Sequence, residues 1–370
     1  MINRDETRQR VYLDVTHVGR HVTGIERVAI ELFEKFEFEN AEIVPVRSNG
    51  LLSLILKQQL LFPLLALFNP SAKFAFPGFP PSPLMQFFRE RVVLYVHDLF
   101  LVTRRQDLGL KAMLYMAWPF RRAVTRLKHF LVNSEKTRAE LEPFVAADAS
   151  IGLYRPPIGN VFDLSPGGRA ERTDEPDVLR LVAVGTIEPR KNFGYAAAIR
   201  DALARQGYAN VTLDIIGREG WGGEAQRLAG RAGVNLRGYL SLAEARAVIE
   251  DADVYLCTSR DEGLGLPLLE VQCAGLAVAA PDQPVFREVL RDSGIYIPQG
   301  RADAAARAIR TALSVRGWRK RSLDAAQTNL ERWNSVAAAD AARARAMFAD
   351  GGRPCMAQCH SIASDQGLQT

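Results

Sequence analysis

Between residues 252 and 274 an apolar run, A-D-V-Y-L-C, gives way to a glycine-bearing turn and then to a proline-started helix. A run of that length bounded by turn residues suits a strand buried on both faces of a parallel sheet. Pro267 has the fixed φ that suits the first helical position. This order commits the chain to a strand–loop–helix unit, with Glu262 and Glu270 on either side of the turn. The start of such a helix offers unpaired N–H groups and partial positive charge to an anion. Each carboxylate can accept hydrogen bonds from hydroxyls. Together they suit a sugar phosphate.

The same alternation recurs along the chain. Residues 11–15, 41–46, 91–96 and 130–132 read as strands. An amphipathic helix begins near Ile25 and carries Val28, Ile30, Leu32, Phe33 and Phe36, and Asn133-Ser134 suits the N-cap of a helix over 135–144. Residues 166–177 (P-G-G-R-A-E-R-T-D-E-P-D) have two prolines, two glycines and many charges without apolar periodicity, as expected of a linker. A second series follows: strands at 179–184, 211–216, 235–236, 253–257 and 277–280, with helices at 193–205, 223–232, 242–251, 267–274, 284–291 and 302–315. One or two more helices fall within 325–349. Strands alternating with helices predict the α/β class with parallel sheets. The expected layout is two doubly wound domains, 1–165 and 178–350, around the linker 166–177, with a disordered tail at 351–370. Domains of this kind bind ligands at the carboxyl ends of their strands.

Three strand ends carry residues suited to that cleft. The run G-T-I-E-P-R-K-N begins at Gly185 and sets Arg190 and Lys191 side by side, which suits a diphosphate; a solvated charge pair opening a helix would look the same. After the first strand, Gly24 permits close approach of backbone to ligand at a helix start, though a glycine in such a loop is weak by itself. His97-Asp98-Leu99 ends another strand, where a lone histidine also serves as hydrogen-bonded structure.

The segment E-G-L-G-L-P-L-L-E from Glu262 to Glu270 resembles the E-x7-E element of the family-4 retaining glycosyltransferases. That resemblance implies the GT-B fold, two Rossmann-like domains facing across a cleft. It extends through Ala274-Gly275-Leu276-Ala277, where the family's usual proline is absent, to Arg287-Glu288-Val289. The Gly185–Asn192 run is similar to the V-G-T-x-E-P-R-K-N element of a bacterial branch, with Thr186 where most of the family has an arginine. The family's G-G-I-E-R-V loop is matched around Gly24 with Thr23 in place of the first glycine; His17 and His21 gain no role from it. Gly217-Arg-Glu-Gly-Trp resembles a loop that flanks the nucleotide, and Gly238-Tyr239-Leu240 falls where the base is cradled. Arg332-Trp333-Asn334 resembles an element that starts the helix returning to the first domain.

The resemblance implies these roles: Arg190 and Lys191 on the donor diphosphate, Glu262 on the donor sugar, Glu270 on the ribose hydroxyls, and His97 near the reacting bond. Gly24, Gly185, Gly217, Tyr239, Gly263, Leu264, Gly265 and Leu266 would line the donor site. It further implies a nucleotide-diphospho-sugar donor, of which GDP-mannose suits the bacterial surface-polysaccharide flavour, no cofactor and no obligatory metal. The acceptor is expected to be a glycan or polyprenyl-linked oligosaccharide. A dehydrogenase is disfavoured because no G-x-G-x-x-G follows a first strand. The intact E-x7-E and R-K-N elements disfavour a GT-B epimerase or phosphorylase. A non-catalytic GT-B sugar-binding or scaffold protein stays open.

With 370 residues, 48% of them hydrophobic, the chain can build two cores, and a net charge of +5 does not imply nucleic acid. Of the four cysteines, Cys257 and Cys273 fall in expected core elements. Cys355 and Cys359 precede His360 without a second ligand pair at zinc spacing. The charged opening argues against a signal peptide, and the expectation is a cytoplasmic protein or one held at the cytosolic membrane face. The apolar run 51–68 is broken by Lys57, Gln58, Gln59 and Pro63 and falls short of a clean membrane span, though it could lie in an interface. Residues 111–130 mix Tyr115, Met116, Trp118 and Phe120 with Arg121, Arg122, Arg126 and Lys128. That composition fits either an anionic membrane surface or an ordinary packed helix with a basic face.

Overall fold

In a computed structural model, residues 9–19, 24–34, 41–103, 113–166 and 178–349 are described. His21, Phe36, the linker residues 167–177 and the tail with Cys355, Cys359 and His360 lie outside them. The short connections between strands and helices, with apolar runs on both sheet faces, leave only parallel pairing as a solution.

Six strands build the first sheet: β1 (Gln9–Asp14), β2 (Ala41–Val46), β3 (Lys73–Phe76), β4 (Val92–Val96), β5 (His129–Val132) and β6 (Ser150–Leu153), in the order β2-β1-β3-β4-β5-β6. Six more build the second: β7 (Val178–Val184), β8 (Asn210–Ile216), β9 (Val234–Gly238), β10 (Val254–Leu256), β11 (Ala277–Pro281) and β12 (Gly294–Ile297), in the order β12-β11-β10-β7-β8-β9. Every pairing is parallel. Sequence reading misses β3, β6 and β12. Each has four residues, too few for a periodic signal, and β3 runs into the prolines at 77, 80 and 81.

Each sheet is covered on both faces. The second domain splits into a cluster on one face around Leu181, Leu213 and Ile309, and one on the other around Val182, Val278 and Phe286. Strand order reverses between β1 and β3 in the first sheet and between β10 and β7 in the second. These are the crevices in which doubly wound folds bind ligands.

The sequence reading of residues 51–68 needs correction. They form one helical run, Leu51–Phe68, 18 residues with a mean hydropathy of 1.8, long and apolar enough by length and composition to cross a membrane. The polar residues do not break it: a widened turn at Lys57–Leu61 absorbs them, and Pro63 sits in the first turn of the Phe62–Phe68 segment. Gln58, Phe62 and Ala66 are buried, so the run lies along the domain. Gln58 Nε2 donates to Asp14 Oδ2 at 2.8 Å and Thr16 Oγ1 at 3.2 Å, tying the helix to the end of β1.

The expectation of one or two helices near the C-terminus resolves into one, Trp318–Ala349, of 32 residues. Trp333 is buried in the second-domain core and its Nε1 donates to Pro156 O at 2.9 Å. About three and four turns later the same helix delivers Ala344 and Phe348 into the first-domain core. Arg155 Nη1 donates to buried Asp340 at 2.7 Å, and Arg155 Nη2 to Glu288 at 2.8 Å, linking this helix, the first domain and helix Pro284–Leu290.

Candidate active site

Lys191 and Glu262 come from loops that flank the switch point of the second sheet. The loop after β7 and the loop after β10 are stitched by Thr258 Oγ1 donating to Lys191 O at 3.0 Å, and by Arg260 N donating to Arg190 O at 2.9 Å. This brings Lys191 Nζ to 2.6 Å from Glu262 Oε1 and Arg190 Nη1 to 2.7 Å from Glu262 Oε2. Burial works against charge on Glu262, but Lys191 and Arg190 outweigh it and hold the carboxyl below the ordinary glutamate range. Glu262 is therefore an ionised acceptor at neutral pH, and the cations beside it are oriented side chains. Arg190 is fixed further by Glu188 Oε1, 2.9 Å from its Nε, and lies over the Phe100 ring of the first domain at 5.3 Å.

Close approach of backbones explains two glycines here. A Cβ on Gly217 would collide with the Gly185 carbonyl, where the ends of β8 and β7 converge, and its φ of +153° also favours glycine. A Cβ on Gly263 would strike the His97 carbonyl of the first domain. The Gly263 carbonyl accepts from Ser134 Oγ at 2.6 Å and Thr137 Oγ1 at 3.3 Å, both at the start of helix Glu135–Leu141. Lys136 Nζ on that helix meets Asp261 Oδ1 at 2.9 Å. The two domains thus touch through the loop that carries Glu262.

Glu270 is buried and paired with Arg27 on helix Gly24–Ala29 of the first domain. Burial raises its carboxyl above the ordinary range, and Arg27 offsets this only in part. Gly24 opens that helix, next to residues outside the described set. Gly265 is the left-handed residue (φ +90°) before helix Leu266–Glu270. Leu264 is buried in the second-domain core, and Leu266 packs against the cores of both domains, so their side chains serve packing. Tyr239, 88% exposed, follows Gly238, whose carbonyl accepts from Gly217 N at 2.9 Å.

His97 projects from the end of β4 in the first domain. Its Nε2 donates to Pro77 O at 2.6 Å, which leaves Nδ1 as an acceptor. Burial drives the imidazole down to about 4 against the opposing Pro77 carbonyl, with His17 adding to the shift, so the ring is neutral at physiological pH.

The structure therefore brings Arg190, Lys191, Glu262, Gly185 and Gly217 to one edge of the second sheet, and only the backbone carbonyl of His97 reaches their loop, at Gly263, while its imidazole bonds Pro77 within the first domain. Sequence reading missed Arg27, Lys136, Thr137 and the second role of Ser134. Ser134 was legible only as an N-cap, which it is, its Oγ accepting from Thr137 N at 3.1 Å. Contacts across a domain interface leave no local signal in sequence.

Residues 179–314 match the family model described as "Glycosyl transferases group 1". No curated protein matches the chain. Among solved structures, the sucrose-phosphate synthase (tll1590) from Thermosynechococcus elongatus is similar at 16% identity and a TM-score of 0.68, over 92% of this chain and 100% of that one. WaaG, a glycosyltransferase involved in lipopolysaccharide biosynthesis, aligns at 15% identity and TM-score 0.61, over 92% and 99%. Anabaena Alr3699/HepE, solved in complex with UDP and glucose, aligns at 13% identity and TM-score 0.60, over 90% and 98%. These likenesses establish the fold: two parallel six-stranded sheets in the GT-B arrangement.

Proposed function

We propose that the protein is a retaining glycosyltransferase that moves a hexose from a nucleotide-diphospho-sugar to a glycan or lipid-linked acceptor. The observation that carries this reading is the grip of Arg190 and Lys191 on Glu262 at the switch point of the second sheet. The group 1 match over residues 179–314 supports it. In this reading Arg190 and Lys191 turn to the donor diphosphate, and Glu262 accepts hydrogen bonds from the donor sugar. Glu270 exchanges Arg27 for the ribose hydroxyls, and the Gly185, Gly217 and Gly265 turns let backbone approach the nucleotide.

As the bond between the sugar's anomeric carbon and the phosphate oxygen breaks, negative charge grows on the leaving diphosphate. Preorganised cations stabilise it there more than in the ground state. The acceptor oxygen bonds to the anomeric carbon on the face the diphosphate leaves, and its proton passes to that leaving group. No metal ion is needed for this chemistry. Neutral His97 offers Nδ1 as an acceptor to a sugar hydroxyl, and contact between the domains excludes water from the reacting bond.

The G-T-I-E-P-R-K-N run favours GDP-mannose as donor, in surface-polysaccharide synthesis. UDP, the nucleotide held by the HepE structure, is the competing choice. We further propose that the protein works at the cytosolic membrane face. Leu52, Leu56, Leu60 and Leu64 form an exposed stripe along helix Leu51–Phe68, continued by Leu67 and Phe68, and Trp118, Arg121 and Arg126 are exposed on the nearby helix Trp118–Arg126. An apolar face beside cations suits an anionic bilayer. Flotation with anionic vesicles should carry the protein upward; failure to float would end the membrane part of the reading.

The catalytic reading is tested by thermal melting with GDP, UDP, ADP or dTDP in EDTA. A ligand that binds the native state raises the melting temperature. One nucleoside diphosphate should do so clearly, GDP by preference. No shift with any of the four would favour a non-catalytic GT-B protein.

A further inference from the structure

A cavity of about 1060 Å³ opens in the first domain at the reversal of its strand order, where β1 and β3 end side by side. Its walls are apolar: Leu54 and Ile55 from helix Leu51–Phe68 face Met116 and Phe120 from residues 113–126. Its rim is formed in part by Leu51, Tyr115 and Trp118, which are 60%, 69% and 55% exposed, so the opening adjoins the leucine stripe. Its inner end is polar, with His17, Glu26, His97 and Asp98. No lysine or arginine lines it among the described residues.

His17 is the telling group. It is 5% exposed, and neither ring nitrogen has a hydrogen-bond partner among the described residues. A buried imidazole without partners is costly. The fold nevertheless holds it firmly: Phe79 packs edge-on at 5.1 Å, and Gly78 is so close that a Cβ there would overlap the ring. Burial keeps His17 from charging, against the pull of Asp14 and Glu26. A neutral imidazole carries one donor and one acceptor, which matches a hydroxyl. An anionic head would meet Glu26 and Asp98 with no lysine or arginine among the described residues that line the cavity.

We propose that this cavity is the acceptor site and that its occupant is a neutral sugar on a hydrocarbon chain. The chain lies between the two helices, and a sugar hydroxyl hydrogen-bonds His17 beside His97. The proposal rests on the reading above that the protein is a glycosyltransferase whose donor is held by Arg190, Lys191 and Glu262 of the second domain. It adds the acceptor's chemical class and a positioning residue, His17, for its head. The exposed leucines and the apolar rim give the chain a continuous apolar path from a bilayer to the inner end.

The test is calorimetric titration of the full-length protein with dodecyl glucoside below its micelle-forming concentration. Free glucose and dodecyl phosphate are the comparison ligands. Dodecyl glucoside should bind at one site, at least tenfold tighter than either. Leu54→Trp and Met116→Trp, which fill the cavity from opposite walls, should each weaken it at least tenfold. His17→Phe keeps the ring packing and removes both nitrogens; it should weaken dodecyl glucoside and bring its affinity close to that of dodecyl phosphate. In a transfer assay with an alkyl glucoside acceptor, His17→Phe should raise the acceptor KM more than it lowers kcat.

Absence of saturable binding would overturn the proposal. So would affinity untouched by both cavity-filling variants, which would put the chain on the outer stripe, or glucose matching dodecyl glucoside. Nucleotide-induced melting shifts in the same variants report folding and the donor reading separately. Alkyl glucoside binding without any nucleotide shift would overturn the glycosyltransferase reading and keep the cavity's chemistry; the converse would do the opposite.

Discussion

The two crevices of this molecule sit at equivalent places in two similar sheets and are built from opposite materials. In the second domain the switch point between β7 and β10 holds Arg190, Lys191 and Glu262, interlocked charges whose geometry is set by backbone bonds between loops. In the first, the switch point between β1 and β3 holds a neutral histidine, without a hydrogen-bond partner among the described residues, at the end of an apolar chamber. A doubly wound sheet supplies the crevice in both cases, and the loops decide what enters. Charge that must be neutralised during a reaction calls for preorganised ions, whereas a hydrocarbon calls for volume and dry walls.

The comparison is broken most decisively in the second crevice. Lys191→Ala and Glu262→Ala should each lower turnover at least a hundredfold, about 3 kcal/mol of transition-state stabilisation, with melting behaviour near wild type. Near-wild-type turnover in either variant would remove the site from the chemistry.

How much of this was legible in sequence differs between the halves for a physical reason. The strand–loop–helix units of the second domain are regular, and Glu262, Lys191 and Gly217 stand at strand ends where local pattern and chemistry coincide. In the first domain β3 and β6 are too short for a periodic signal, and Lys57, Gln58 and Gln59 looked like breaks in an apolar run. Gln58 is instead the anchor that binds the helix to Asp14, a role visible only once residues 44 positions apart meet. His17 likewise acquired meaning only from the cavity it borders.

The joint between the halves gives the next expectation. Arg155→Ala would leave Glu288 and the fully buried Asp340 without their shared partner, and should cost about 3 kcal/mol in denaturant unfolding. An unchanged midpoint would mean that the returning helix is held by apolar packing around Trp333 and Phe348 alone.

A smaller effect sharpens the electrostatic contrast. His97 has its folded value lowered to about 4 from an ordinary 6.5, so the unfolded chain takes up the proton first and stability falls as pH drops from 6.5 towards 4. At pH 5 this amounts to about 2 kcal/mol. The loss should shrink in His97→Gln, measured as the difference between the two unfolding curves at pH 7 and pH 5. Equal pH dependence in both proteins would show that His97 titrates normally.

The smallest expected change concerns the touching loops. Gly263→Ala must push its loop off the His97 carbonyl and should reduce turnover about tenfold while nucleotide affinity holds, since the added methyl faces the first domain. Loss of nucleotide affinity instead would mean that the loop shapes the donor pocket more than the domain contact.

The division between the crevices is tested most directly by melting wild type, Lys191→Ala and Leu54→Trp with and without the nucleoside diphosphate that stabilises the wild type. The shift should vanish in Lys191→Ala and persist in Leu54→Trp. A shift that survives Lys191→Ala, or that disappears equally in Leu54→Trp, would contradict placement of the donor in the second domain.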